Sequence, residues 1–183
     1  GGMDQAACLL GQAGHALKID FFPLAVEPVA FEGDVCVYLS DSGVRVEKSG
    51  AGLALYNQRP AECAEALDAF KPWAQCHRHP EWAQVERWGD LLRPPASLSH
   101  AEALDLIHDA LSGPDVAEDN FKLRRRAEHV MSEGWRVEQA AEALRKSDWS
   151  RLAELIRASL AECPGDVGLL AGQAPVDPRL DLV

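Results

Sequence analysis

Residues 116 to 145 hold the longest stretch of the chain with a single sustained period. Ala127, Val130, Gly134, Val137, Ala141 and Leu144 recur at the 3.6-residue spacing of an α-helix, with Lys, Arg and Glu elsewhere. A helix of that length commits much of the chain to helical packing. A second run, Trp149 to Glu162, places Leu152, Leu155, Ile156 and Leu160 on one face. Ser99, with Glu102 three residues later, forms a capping-box pattern that opens a helix to Leu111, and Ser112-Gly113-Pro114 breaks it. Pro60 suits the first position of a helix, with Glu62 and Glu65 near the positive end of its dipole, which predicts a helix from Pro60 to Lys71. Residues 48 to 58, with Gly50 and Gly52, read as a loop or a loose first turn. Pro72 to Pro95 has no clear period.

Strand patterns are confined to the first fifty residues. Met3 to Leu10 reads as a short helix that Gly11 and Gly14 end. His15 to Phe22 alternates and then runs apolar up to Pro23, as a strand does. Leu24 to Phe31 contains Pro28, whose missing N–H limits it to an edge strand or an irregular crossing. Val35 to Leu39 is apolar at successive positions, the pattern of a strand buried on both faces, and Ser40-Asp41-Ser42-Gly43 ends it. The expected fold class is α+β in one domain: 1–50 mixed α/β, 51–163 helical, 164–183 an irregular tail. No internal repeat and no low-complexity tract occurs.

Charge narrows the function classes. Eighteen Lys and Arg against 29 Asp and Glu give a formal charge of −11 over 183 residues. Such a chain is repelled by phosphate backbones and anionic lipid, so neither nucleic acid nor a membrane is an expected partner. No stretch reaches the roughly 18 apolar residues of a membrane helix, and the basic-then-apolar pattern of a signal peptide is missing. Five cysteines, an odd number without framework spacing, point to free thiols and a cytoplasmic location.

Several residue groups bear on chemistry. Asp4 follows two glycines at the start of a helix, where glycine lets backbone approach a ligand and the helix dipole favours an ionised carboxylate. An acidic first turn without function has the same pattern. Cys63, Cys76, His77 and His79 contain metal-ligating types, but not as the two close pairs of a structural zinc site, so no metal is expected. Lys122, Arg124, Arg125 and Arg126 fan around a helix and form no single patch, and Arg124 has Glu128 four residues on as a partner. His129 and Glu133 share a helix face as a structural pair. No Gly-x₄-Gly-Lys-Ser/Thr, Gly-x-Gly-x-x-Gly or Gly-x-Ser-x-Gly motif occurs.

Four segments in order resemble the galactokinase branch of the GHMP small-molecule kinases. Gly1-Gly2-Met3-Asp4-Gln5 is similar to the family's Gly-x-Met-Asp-Gln segment. The runs LKIDFFPL and VCVYLSDSGVRV follow as the strand pair does there. Tyr56-Asn57-Gln58-Arg59-Pro60-Ala61-Glu62-Cys63 is similar to Tyr-Asn-x-Arg-Arg-x-x-Cys, and Arg126-Ala127-Glu128-His129-Val130-Met131-Ser132-Glu133 to Arg-Ala-x-His-Val-x-x-Glu. The resemblance spans residues 1 to about 160 and implies a GHMP-kinase-like fold with short strands before a mainly helical region. It implies ATP-dependent phosphorylation of the anomeric hydroxyl of galactose or a galactose-like sugar, with ATP and Mg²⁺ at family level. Asp4 matches the catalytic aspartate, while Gly1 and Tyr56 match substrate-binding positions. Arg126, His129 and Glu133 match structural helix positions.

The departures are specific. Pro60 replaces the second arginine of the Tyr-Asn-x-Arg-Arg stretch. Leu155 to Leu160 stands in place of a Ser-His pair, and Ala161 to Asp166 in place of an acidic stretch. The family's N-terminal sugar signature, its Gly-Ser-Ser-rich phosphate loop and its later glycine loop have no counterpart in these 183 residues. The expectation is a partial kinase domain without kinase activity of its own. The alternative is a degenerate, non-catalytic member that binds a sugar or a protein.

Overall fold

The computed structural model describes residues 2–21, 23–30, 33, 36, 38, 51–77, 82–112 and 120–162. Their order is α1 (Gly2–Leu10), β1 (His15–Phe21), β2 (Leu24–Ala30), α2 (Ala51–Cys76), two 3-10 turns (Trp82–Gln84 and Trp88–Leu92), α3 (His100–Ala110), α4 (Asn120–Arg145) and α5 (Trp149–Glu162). The class is α+β, mostly helical, with a two-stranded antiparallel sheet near the N-terminus. The chain divides into two compact units: 1–43 with 136–163, and 44–135 with 164–183.

In the first unit, β1 and β2 form a hairpin pairing His15 with Ala30 through Phe21 with Leu24. Pro28 sits in β2 opposite Leu17, as an edge strand permits. Gly14, at φ +71, supplies the left-handed residue that turns the chain from α1 into β1. Lys18 of β1 reaches Glu138 of α4 at 2.7 Å, and Glu27 of β2 pairs with Arg145. α4 ends in a Schellman arrangement: Ser147 takes φ +52, its N–H donates to Leu144 O at 3.0 Å, and Asp148 N–H donates to Ala143 O at 2.8 Å. Asp148 Oδ1 then accepts from Arg151 N–H at 3.0 Å and caps the start of α5. Among the described residues of this unit, Ala6, Val29, Ala141, Ala143 and Leu155 are buried and apolar.

The second unit holds the larger core. α2 contributes Ala66, Leu67, Phe70 and Ala74, the 3-10 region Val85, Trp88 and Leu91, α3 Ala103, Ile107, Ala110 and the following Leu111, and α4 Leu123, Ala127 and Met131. Asp90 Oδ2 closes the turn before the second 3-10 segment by accepting from the N–H groups of Glu86 (3.1 Å) and Arg87 (3.0 Å).

The structure corrects several expectations. α2 begins at Ala51, not Pro60, and runs through both Pro60 and Pro72. Both prolines face solvent, and the apolar face from Ala66 to Ala74 holds the helix against the core despite the lost backbone hydrogen bonds. On α4, Val130 and Val137 are exposed, and the buried face follows Leu123, Ala127 and Met131 at steps of four. On α5, Leu155 is buried, but Ile156 and Leu160 are exposed. Cys36 and Tyr38 are exposed and in no strand, and the remainder of the 35–39 run lies outside the described residues. The start of the 116–145 helix before Asn120 and the tail from 163 also lie outside them.

The capping box at α3 is formed as the sequence predicts. Glu102 N–H donates to Ser99 Oγ at 3.3 Å, and Ser99 N–H donates to Glu102 Oε2 at 2.8 Å. The Ser99 hydroxyl first, then its backbone N–H, hold the Glu102 carboxyl below its ordinary value of 4.5. A depressed folded-state value means this stabilisation is present above the unfolded value and lost as pH falls through the folded one. Acidification below about pH 4.5 is therefore expected to weaken the start of α3. Glu102→Gln should flatten that part of the stability–pH curve, measured as thermal midpoints by circular dichroism between pH 3 and 6. A variant curve parallel to the parent's would exclude the contribution.

Candidate active site

Asp4 lies in the first turn of α1, exposed to solvent. Its position within two residues of the helix start places the carboxylate at the positive end of the backbone dipoles. The helix start rests on the tip of the β1–β2 hairpin. A Cβ built on Gly2 would stand 3.4 Å from Phe21 Cε1 and 4.0 Å from Cδ1, so the ring lies against the Gly2 backbone. Met3, Phe21 and Leu24 leave apolar surface exposed in this part of the unit. A carboxylate with apolar surface nearby can accept a hydrogen bond from a hydroxyl while that surface excludes part of the surrounding water.

The other two predicted site residues are less fully placed. Gly1 lies outside the described residues. Tyr56 lies in the first part of α2, in the second unit, and its side chain is outside the described residues. The contact between Phe21 and the aspartate turn is not among the sequence expectations, although two successive phenylalanines before Pro23 signal an aromatic hairpin tip.

The zinc pattern is dispersed. Cys63 and Cys76 lie on one helix, thirteen residues and about 20 Å apart, far beyond the span of two ligands on one ion. His77 stacks on Trp73 with ring centroids 4.2 Å apart, and its Nδ1–H donates to the Trp73 carbonyl at 2.8 Å. His79 lies outside the described residues. Cys63 is half-buried, and burial pushes its thiol above the ordinary 9.0 against the opposing charge of Arg126. Cys8, Cys36, Cys63 and Cys76 are all free thiols.

The basic run is internally committed. Arg126 Nε lies 3.1 Å from Glu62 Oε2, Arg124 Nε lies 3.5 Å from Glu128 Oε1, and Arg124 Nη1 donates to Ser112 Oγ at 2.6 Å. Arg126 thus ties α4 to α2, the structural part its position implied. Among the described residues, no helix is long and apolar enough to cross a membrane.

Comparison with known proteins gives one consistent relationship. The chain is 35% identical over 160 residues to the galactokinase of Chloroflexus aurantiacus, covering 86% of this chain and 33% of that protein. It is 33% identical over 157 residues to that of Chloroflexus aggregans (84% and 33%) and 35% over 161 residues to that of Actinobacillus succinogenes (87% and 34%). The chain spans about a third of the length of the curated relatives it matches. No family model matches, and no solved structure matches. Over most of its length the chain is thus galactokinase-like, similar to about a third of each of these proteins.

Proposed function

We propose that the chain is the aspartate-bearing part of a GHMP-type sugar kinase acting on the anomeric hydroxyl of galactose or a galactose-like sugar, its 183 residues being one partial domain. The similarity to three galactokinases over more than four-fifths of the chain carries this reading. Asp4, in a helix turn, is the group that would accept the proton of the attacking C1 hydroxyl, or orient and polarise it. Gly1 and Tyr56 would contact the sugar, the first through close backbone approach, the second through its hydroxyl and aromatic face.

ATP and Mg²⁺ belong to the family's reaction, but the residues present do not fit them. The chain has no phosphate-cradling glycine loop. The start of α1, which could receive a phosphate, carries Asp4, whose charge opposes one. The altered stretch from Leu155 to Asp166 favours a second reading, a non-catalytic module that binds a sugar or a protein.

The test is calorimetric titration of galactose, N-acetylgalactosamine, arabinose and galacturonate into the chain and its Asp4→Asn variant. A hydrogen bond to a charged group contributes about 1.5–3 kcal/mol, so the substitution is expected to weaken sugar binding roughly 10- to 100-fold. Equal affinity of parent and variant would remove Asp4 from the site. The isolated chain is expected to show no ATP-dependent sugar phosphorylation above background. Phosphorylation lost in Asp4→Asn would instead exclude the non-catalytic reading.

A further inference from the structure

We propose that Phe21 is the positioning residue that sets where Asp4 meets the sugar, an inference that rests on the reading of Asp4 as the sugar's carboxylate. α1 has nine residues, and Ala6 is its one buried residue. Helices of that length are marginal alone, so the direction of α1 depends on a few tertiary contacts. At its C-terminal end the helix closes with Gly11 N–H donating to Ala7 O at 2.9 Å, and the turn that follows is held by His15 N–H donating to Gln12 O at 3.2 Å. At its N-terminal end the Phe21 ring lies against the backbone of Gly2, and Asp4 stands two residues further on in the same turn. The ring stands where a Cβ at position 2 would meet it at ordinary van der Waals distance, 3.4 Å.

The hairpin that carries Phe21 is itself pinned. Phe21 pairs with Leu24 at the tip, Lys18 holds Glu138 at 2.7 Å, and Glu27 pairs with Arg145. Phe21 is 41% exposed, so burial of the ring alone gives a weak account of a large aromatic at this place. Held between a fixed hairpin and the first helical turn, the ring acts as a stop. Small displacements of a reacting or binding group are costly, about 10²-fold for 1 Å in catalysis.

The test uses the full chain with Phe21→Leu, which keeps apolar bulk without a ring face, and Phe21→Tyr, which keeps the ring. Amide hydrogen exchange is followed in α1, with α3 as the folding control, and galactose is titrated while the amides of Met3 to Gln5 are observed by NMR. Phe21→Leu is expected to leave α3 protection unchanged, speed exchange in α1 about tenfold and weaken the galactose response about tenfold, with Phe21→Tyr restoring both. Parent-like α1 exchange in Phe21→Leu would overturn the proposal, and so would faster exchange with an unchanged galactose response. Equal losses in Phe21→Leu and Phe21→Tyr would also overturn it. A parent chain without any galactose response would overturn the reading of Asp4, while the exchange rates still decide whether the ring holds the turn.

Discussion

Phe70→Ala is expected to remove a large part of the second unit's stability and lower its urea midpoint sharply. Phe70 is fully buried at the centre of that core. Its ring meets Trp88 edge-on at 5.4 Å and stacks with Trp73 at 6.1 Å. Truncating a buried phenylalanine costs about 3–5 kcal/mol from lost transfer energy and the cavity left behind. The neighbours cannot easily close that cavity, because Ala66 and Ala74 on the same helix face carry only methyl groups, too short to extend into it. Domain stabilities are only about 5–15 kcal/mol in total. Urea unfolding followed by tryptophan fluorescence checks the outcome, since Trp73 and Trp88 both touch the deleted ring. Phe70→Leu should retain more than half of the stability lost in the alanine variant. A midpoint for Phe70→Ala within error of the parent's would show that Phe70 is not central to this core.

What could be read from the sequence was what local chemistry determines. The Ser99–Glu102 box needs four residues and no tertiary context, and it is formed as expected. α5 runs from Trp149 to Glu162 as its periodicity predicts. The hairpin follows because Pro23 and the two flanking runs specify a turn between strands. α2 was misplaced for the opposite reason. Pro60 is a good first helical residue, so local preference favours a start there, whereas burial of Leu67 and Phe70 keeps a longer helix running through it. Val130 and Val137 show the same limit, because periodicity names a helix but not which of two adjacent stripes meets its neighbours. At the candidate site, the aspartate turn was legible from Gly2, Met3 and Asp4. The ring of Phe21 against Gly2 was not, since no local rule links positions 2 and 21.

The second large effect concerns the charge pair in the first unit. Arg136 of α4 is buried, and its two Nη groups donate to the two oxygens of Glu162 at the end of α5, one bond at 2.8 Å. This fork is the bidentate geometry in which arginine binds carboxylate most firmly. Glu162→Ala would leave a guanidinium in low-dielectric surroundings without its carboxylate. Breaking a fully buried pair costs about 3–5 kcal/mol. The two partners are unequally covered, with side-chain exposures of 10% for Arg136 and 44% for Glu162, so water can reach the vacated site. Arg136 also has further interactions. A loss of about 2 kcal/mol is therefore expected, with Glu162→Gln losing about half as much because one oxygen still accepts. The pair and its apolar replacement should differ less than either broken pair, since desolvating two charges consumes much of what their attraction supplies. The double variant Arg136→Met with Glu162→Leu should accordingly recover most of the stability lost in Glu162→Ala. A double-mutant cycle by chemical denaturation measures this directly, with a coupling above about 1 kcal/mol expected for groups in contact. Additive losses would mean that the fork contributes only apolar packing along the arginine stem.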